Sequence, residues 1–172
     1  MNESILITGI GGSGKSVISK ELRKLGYKAY NMEEIKGLFK MINKKTGKPA
    51  KDYSNYDLKS VKENRWTCNK KKLQKLLKKN PKGIVFYCGT ASNLDDLLPL
   101  FDKVFLLKLK RKILSERLSN RTSNDFGRTS EVQKWIFSWK NWWERHMKEK
   151  GAIVINANQD IKKVIKEIIQ KV

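Results

Sequence analysis

The sequence predicts a three-layer α/β/α fold built on a parallel sheet, and three observations carry that reading. Short apolar runs alternate with helical stretches from one end of the chain to the other. The run at residues 84–88 is apolar throughout, as a central strand buried on both faces is. A glycine-rich turn joins the first apolar run to the first helix. The length of 172 residues suits one domain, residues 1–172, able to bury a core without cross-links. A hydrophobic share of 39% argues against disorder.

Residues 4–8 form a β-branched apolar run and read as a buried strand. Residues 9–16 are the glycine-rich turn. Residues 17–25 read as a helix, with Val17, Ile18, Leu22 and Leu25 near helical spacing and Gly26 closing it. A brief strand at 28–30 precedes a predicted helix over 33–42, and 43–55 has loop chemistry. Residues 69–79 form a basic helix with Leu73, Leu76 and Leu77 inward, stopped by Asn80-Pro81-Lys82-Gly83. The third strand is 84–88. Ser92 is placed to cap a helix running to residue 100. A fourth strand at 104–107, a helix at 111–118 and a polar stretch at 120–129, read as a mobile loop, follow. A long helix at 130–150, a fifth strand at 152–156 and a last helix at 161–171 complete the chain. No repeat or low-complexity linker divides it.

The turn reads Gly9-Ile10-Gly11-Gly12-Ser13-Gly14-Lys15-Ser16, a match to G-x-x-x-x-G-K-[ST]. Glycines let the backbone curl so that successive N–H groups face a bound phosphate. The helix that follows presents its positive end to the same anion. Lys15 is placed to reach the β- and γ-phosphates, and the Ser16 hydroxyl to ligate magnesium. A plain glycine turn would not explain Lys15-Ser16 at a helix start. The expected site for a nucleoside triphosphate is therefore Gly9, Gly11, Gly12, Ser13, Gly14, Lys15 and Ser16.

Composition excludes several classes. Cys68 and Cys88 make no disulfide framework, and with His146 as the single histidine they make no metal centre. Two reduced thiols suit the cytoplasm. No apolar stretch is long enough to span a membrane, and the start Met1-Asn2-Glu3-Ser4 lacks the pattern of a signal peptide. The net charge of +21 has two readings: a phosphate-rich partner such as nucleic acid, or a lysine-biased proteome with solvated helix faces. Trp135, Trp139, Trp142 and Trp143 follow helical spacing with His146 close by. Such a stripe is expected in the core, the other reading being a stacking platform for bases.

These features together resemble the P-loop small-molecule kinases, the group of adenylate, shikimate and gluconate kinases. The order of elements carries the likeness over nearly the whole chain, and no Asn-Lys-x-Asp base-reading motif points to a GTPase. The chain is also similar to kinase-like AAA-family ATP-binding proteins, through Arg65-Trp66, the turn at 89–93 and Asn124-Asp125-Phe126-Gly127. The resemblance implies a five-stranded sheet of order 2-3-1-4-5 and a short LID at about 120–130. It implies phosphoryl transfer from ATP, with Mg2+, to a small-molecule acceptor, either a nucleotide or a hydroxyl metabolite. It places Arg121 on the nucleotide base, and Arg117 and Arg128 where transition-state charge develops. Glu33 stands where a carboxylate accepts a proton or orients a magnesium-bound water. The acceptor would lie between Glu33, Arg65 and the turn at 89–93. Asn31 stands where an Asp is usual, and the third strand ends in Cys88 with no acid. Two other functions fit the same residues: a kinase acting on nucleic-acid ends, favoured by the charge, and a non-catalytic ATP-binding module, favoured by the missing acids.

Overall fold

The structure, a computed structural model, describes residues 2–79, 82–122 and 124–172. Met1, Ser123 and the Asn80-Pro81 part of the predicted helix stop lie outside the described residues. Strand β1 (Asn2–Thr8) lies at the centre of a sheet in which Ile5, Leu6 and Ile7 are wholly buried. Helix α1 (Lys15–Lys24) leads to β2 (Lys28–Asn31) at one edge. The interior strand β5 (Gly83–Cys88), then β6 (Lys103–Lys108) and β7 (Ile153–Asn156), complete the order β2-β5-β1-β6-β7, every pair parallel. Counting these five strands alone, the order is the expected 2-3-1-4-5.

Alternate side chains of β1 enter different cores. Ile5 and Ile7 join Phe86, Phe105 and Leu107 on one face, with Ile18 and Leu22 of α1 and Ile165 and Ile168 of α6 (Ile161–Gln170). Leu6 joins Val85, Tyr87 and Leu106 on the other, against Leu73 of α3 (Lys70–Lys78). Both faces are covered, so the strands can be apolar without alternation. Strands β2 and β5 lie on one side of β1 and β6 and β7 on the other, and this change of direction opens a crevice at the strands' carboxyl ends.

Two predicted helices are not formed. Residues 33–42 contain a 3-10 turn (Met32–Glu34) and then strand β3 (Phe39–Asn43). Gly37 takes φ 73°, which ends any helix, and Phe39 stacks on Trp66 at 5.3 Å. Strand β3 pairs antiparallel with β4 (Asn64–Cys68), which follows the short helix α2 (Leu58–Glu63). Cross-strand pairing thus overrides local helical pattern. Ser92 caps no helix, since its N–H is donated to the Trp66 carbonyl at 2.7 Å. Asn93 bonds both backbone groups of Cys68, and Leu94–Asp96 and Leu98–Leu100, with Pro99 inside it, form separate 3-10 turns. Tertiary bonds to β4 and an internal proline shorten what spacing alone extends.

Helix α4 (Arg111–Asn120) precedes the long helix α5 (Ser130–Glu149), which Thr129 caps by accepting the Val132 N–H. One face of α5 buries Val132, Ile136 and Met147. It also buries the ion pair Lys140–Glu144, 2.6 Å apart with both side chains under a tenth exposed. Removing one partner leaves a charge in the core, a change that costs about 3–5 kcal/mol. Glu144→Gln should lower the urea unfolding midpoint accordingly, whereas Lys140→Met/Glu144→Leu should recover most of the loss.

Candidate nucleotide and acceptor site

The crevice holds a cavity of about 980 Å³ whose floor is the loop between β1 and α1. Gly14 precedes α1 at φ 102° with no side-chain cap, so the first N–H groups of the helix are left for an anion. The Lys15 ammonium folds back on the loop and donates to the carbonyls of Gly9 at 2.8 Å and Ile10 at 3.3 Å. Burial holds Lys15 below the ordinary lysine range, with the charge of Glu33 opposing that shift and Arg121 adding to it. The Ser13 hydroxyl is buried and has no partner among the described residues. An unsatisfied hydroxyl and a lysine bonded to its own loop are what a phosphate cradle presents before its anion arrives. Space is equally restricted: a Cβ on Gly9 would meet the Ser13 hydroxyl at 2.5 Å, and one on Gly11 would touch the Phe126 ring at 3.2 Å.

Arg117 lies across the loop, donating to the carbonyls of Ser13 at 3.5 Å and Ala157 at 3.3 Å. Arg121 sits over Gly11 beside Phe126. Burial draws both guanidinium groups below their ordinary value, and arginine remains charged under physiological conditions. Arg128 does not line the cavity; it bonds the Tyr56 hydroxyl at 3.3 Å and the Arg121 carbonyl. Ser16 is exposed and lines the cavity at the start of α1, as do Asn31 and Glu33 just past β2. Arg65 and Ser92 line it from β4 and the turn after β5. The predicted site residues therefore line one cavity except Gly9, whose carbonyl takes a bond from Lys15, and Arg128, which bonds the 120–129 loop and Tyr56.

Cys88 ends β5, where an acid is often found. Burial pushes its thiol up to about 12, with Lys15 and Arg23 opposing, so it stays neutral and cannot replace a carboxylate. Among the described residues no group of three or more His, Cys, Asp or Glu side chains could hold a metal.

Two features were not anticipated. The segment before α2 is tied to the 120–129 loop, where Asn55 donates to Asp125 at 2.6 Å and Arg128 reaches Tyr56. The tryptophans of α5 are core only in part: Trp135, Trp139 and Trp143 pack against it, and Trp142 does not. Trp135, Trp139 and Trp143 are half-buried and Trp142 is 63% exposed, and all four line the cavity. Helical spacing showed that they share a side, but it did not show that this side also borders the cavity.

A model of the AAA domain family matches residues 5–137. The chain belongs to that family. No curated protein matches it by sequence. Solved structures that share its fold include deoxyadenosine kinase from M. mycoides with bound dATP, 20% identical, covering 98% of each chain at TM-score 0.58. They also include shikimate kinase from Acinetobacter baumannii in complex with shikimate, 15% identical, covering 99% of this chain and 93% of that one at 0.64. A gluconokinase from Sinorhizobium meliloti 1021 is 18% identical over 98% of this chain and 90% of that one, at 0.55. The AAA-family chain therefore has the fold of P-loop small-molecule kinases. Among its described residues no helix is long and apolar enough to cross a membrane.

Because the Asn55–Asp125 bond joins two surface segments, Asn55→Ala should leave the unfolding free energy within about 0.5 kcal/mol. It should nevertheless speed amide exchange across residues 120–129, read by hydrogen exchange with mass spectrometry.

Proposed function

We propose that this AAA-family chain is a phosphotransferase that moves the γ-phosphoryl group of ATP, with magnesium, to a hydroxyl of a small molecule. The observation that carries the reading is the meeting in one cavity of an uncapped helix N-terminus, Lys15, two arginines and the carboxylate of Glu33. The fold, shared with kinases whose structures hold dATP or shikimate, supports it.

In this reading the loop N–H groups hold the phosphates, and Lys15 exchanges its bonds to Gly9 and Ile10 for phosphate oxygens. Ser16 would hold the magnesium ion, which neutralises phosphate charge when bound. Arg117 and Arg121 stabilise the charge that grows during transfer. Arg121 and Phe126 receive the base. Glu33 takes the proton of the acceptor hydroxyl as that oxygen bonds to phosphorus and the bond to the bridging oxygen of ADP breaks. Arg128 works at one remove, holding 120–130 to Tyr56 so that this LID excludes water. The whole chain acts as one domain, and its two buried free thiols suit a cytoplasmic setting.

The test is magnesium-dependent release of ADP by purified protein, offered pools of nucleosides, nucleotides, sugar acids and oligonucleotides. Lys15→Ala should abolish turnover. Glu33→Gln should lower kcat by about 10²–10⁴ while leaving ATP affinity unchanged. Binding of ATP with no turnover in any pool would sink the proposal. Lys15 loses its charge as pH rises through its lowered value, so ATP affinity should fall on the alkaline side before an ordinary lysine would titrate. Calorimetric titration from neutral to alkaline pH measures that fall.

A further inference from the structure

One part of the cavity is furnished differently from the phosphate floor. Trp142 lies flat on the His146 ring, 5.4 Å between centroids and 10° between planes, and both oxygens of Asp95 hold His146 Nε2 at 2.8 and 2.9 Å. Asp95 belongs to the 3-10 turn after β5, so this stack stands beside the turn at 89–93. Trp66 also lines the cavity, its ring backed by Phe39 at 5.3 Å and 13°. Behind Trp142, Trp135, Trp139 and Trp143 form an edge-to-face series at 5.6 and 6.4 Å. Each ring is braced by another ring or by a carboxylate-held imidazole, which fixes its face before any ligand binds.

The charges at this end narrow the ligand further. Arg65 is its one lining cation, whereas Glu33 and Asp95 are both carboxylates. A sugar acid or a phosphorylated acceptor needs a cluster of cations, and none lines the cavity here apart from the residues of the phosphate floor. A neutral planar ring needs π faces, and these are supplied in excess. An exposure of 63% for so large an apolar ring facing a cavity is a cost to the free protein that a stacked ligand removes.

We infer that the acceptor is a nucleoside, its base stacked on the wall made by Trp142 and Trp66 and its sugar hydroxyl turned toward Glu33. This rests on the kinase reading for the transfer step but not for binding. The hydroxyl oxygen bonds to the γ-phosphorus, the phosphorus–oxygen bond to ADP breaks with its electron pair going to ADP, and Glu33 takes the proton. The product is a nucleoside monophosphate.

Binding is tested apart from turnover by titrating the full-length protein with single nucleosides, following tryptophan emission and heat. Nucleoside monophosphates, gluconate and shikimate are the comparison ligands. Saturable quenching by a nucleoside is expected. Trp142→Ala should weaken it about tenfold, the effect of one lost stacking contact, and Trp142→Phe should restore most of it. Trp142 is exposed, so neither change threatens folding, and unchanged ATP affinity in both verifies this. A nucleoside that binds but is not phosphorylated supports the wall assignment while defeating the kinase reading. Turnover driven by gluconate or shikimate with no nucleoside quenching overturns the inference and leaves the kinase reading standing. Tighter binding of monophosphates than of nucleosides, or quenching indifferent to Trp142→Ala, also overturns it.

Discussion

Gly14 starts helix α1 in a left-handed conformation that any side chain would resist, and much of the molecule is arranged around that start. Because no side chain caps the helix, its first N–H groups and its positive end stay directed at the loop. That arrangement holds only if the loop is anchored on both sides. Behind it Ile5, Leu6 and Ile7 of β1 are wholly buried between β5 and β6, and above it Leu114 and Leu118 of α4 crowd against Gly12. The sheet, the α4 contact and the narrow space at Gly9 and Gly11 all serve to keep a run of flexible residues in one shape.

Around this fixed floor the walls are held by side-chain bonds between distant segments. The β3–β4 hairpin is joined to the turn after β5 through Asn93 and Ser92, and the segment before α2 meets the 120–129 loop through Asn55 and Asp125. These links are part-buried and cross between elements outside the five-stranded sheet. They can therefore open without unfolding the sheet, which places them at the low end of the molecule's range of local stability.

How much of this could be read from the sequence follows from where each signal resides. Strand runs such as 84–88 carry their own information, since burial on both faces demands continuous apolar residues, and the positions of the five strands follow, while their order comes from the resemblance to the P-loop kinases. The phosphate loop is equally local, as its spacing is its geometry. Strand β3 is different: Phe39 becomes a strand residue because it pairs with Cys68 and stacks on Trp66, partners distant in sequence. The same holds for the tryptophans of α5. Their spacing marks one face, which sets Trp135, Trp139 and Trp143 against the core and leaves Trp142 exposed, while the buried Lys140–Glu144 pair shares the inner side with Val132, Ile136 and Met147. Glu33 and the arginines were legible through motif and resemblance, while Arg128 was given the cavity and instead ties down the loop.

The neutral thiol of Cys88 has an effect on how the site is charged as a whole. With no carboxylate at the end of β5, the positive charge of Lys15 and Arg121 feels Glu33 as a counter-charge, and Glu33 lies on a short turn at the sheet's edge. An arriving anion is then itself the missing counter-ion, and by relieving Lys15 of its attraction to Glu33 it frees that carboxylate for another ligand. Two ligands bound in such a field are thermodynamically coupled without any change of shape, and by linkage each alters the affinity for the other by the same factor.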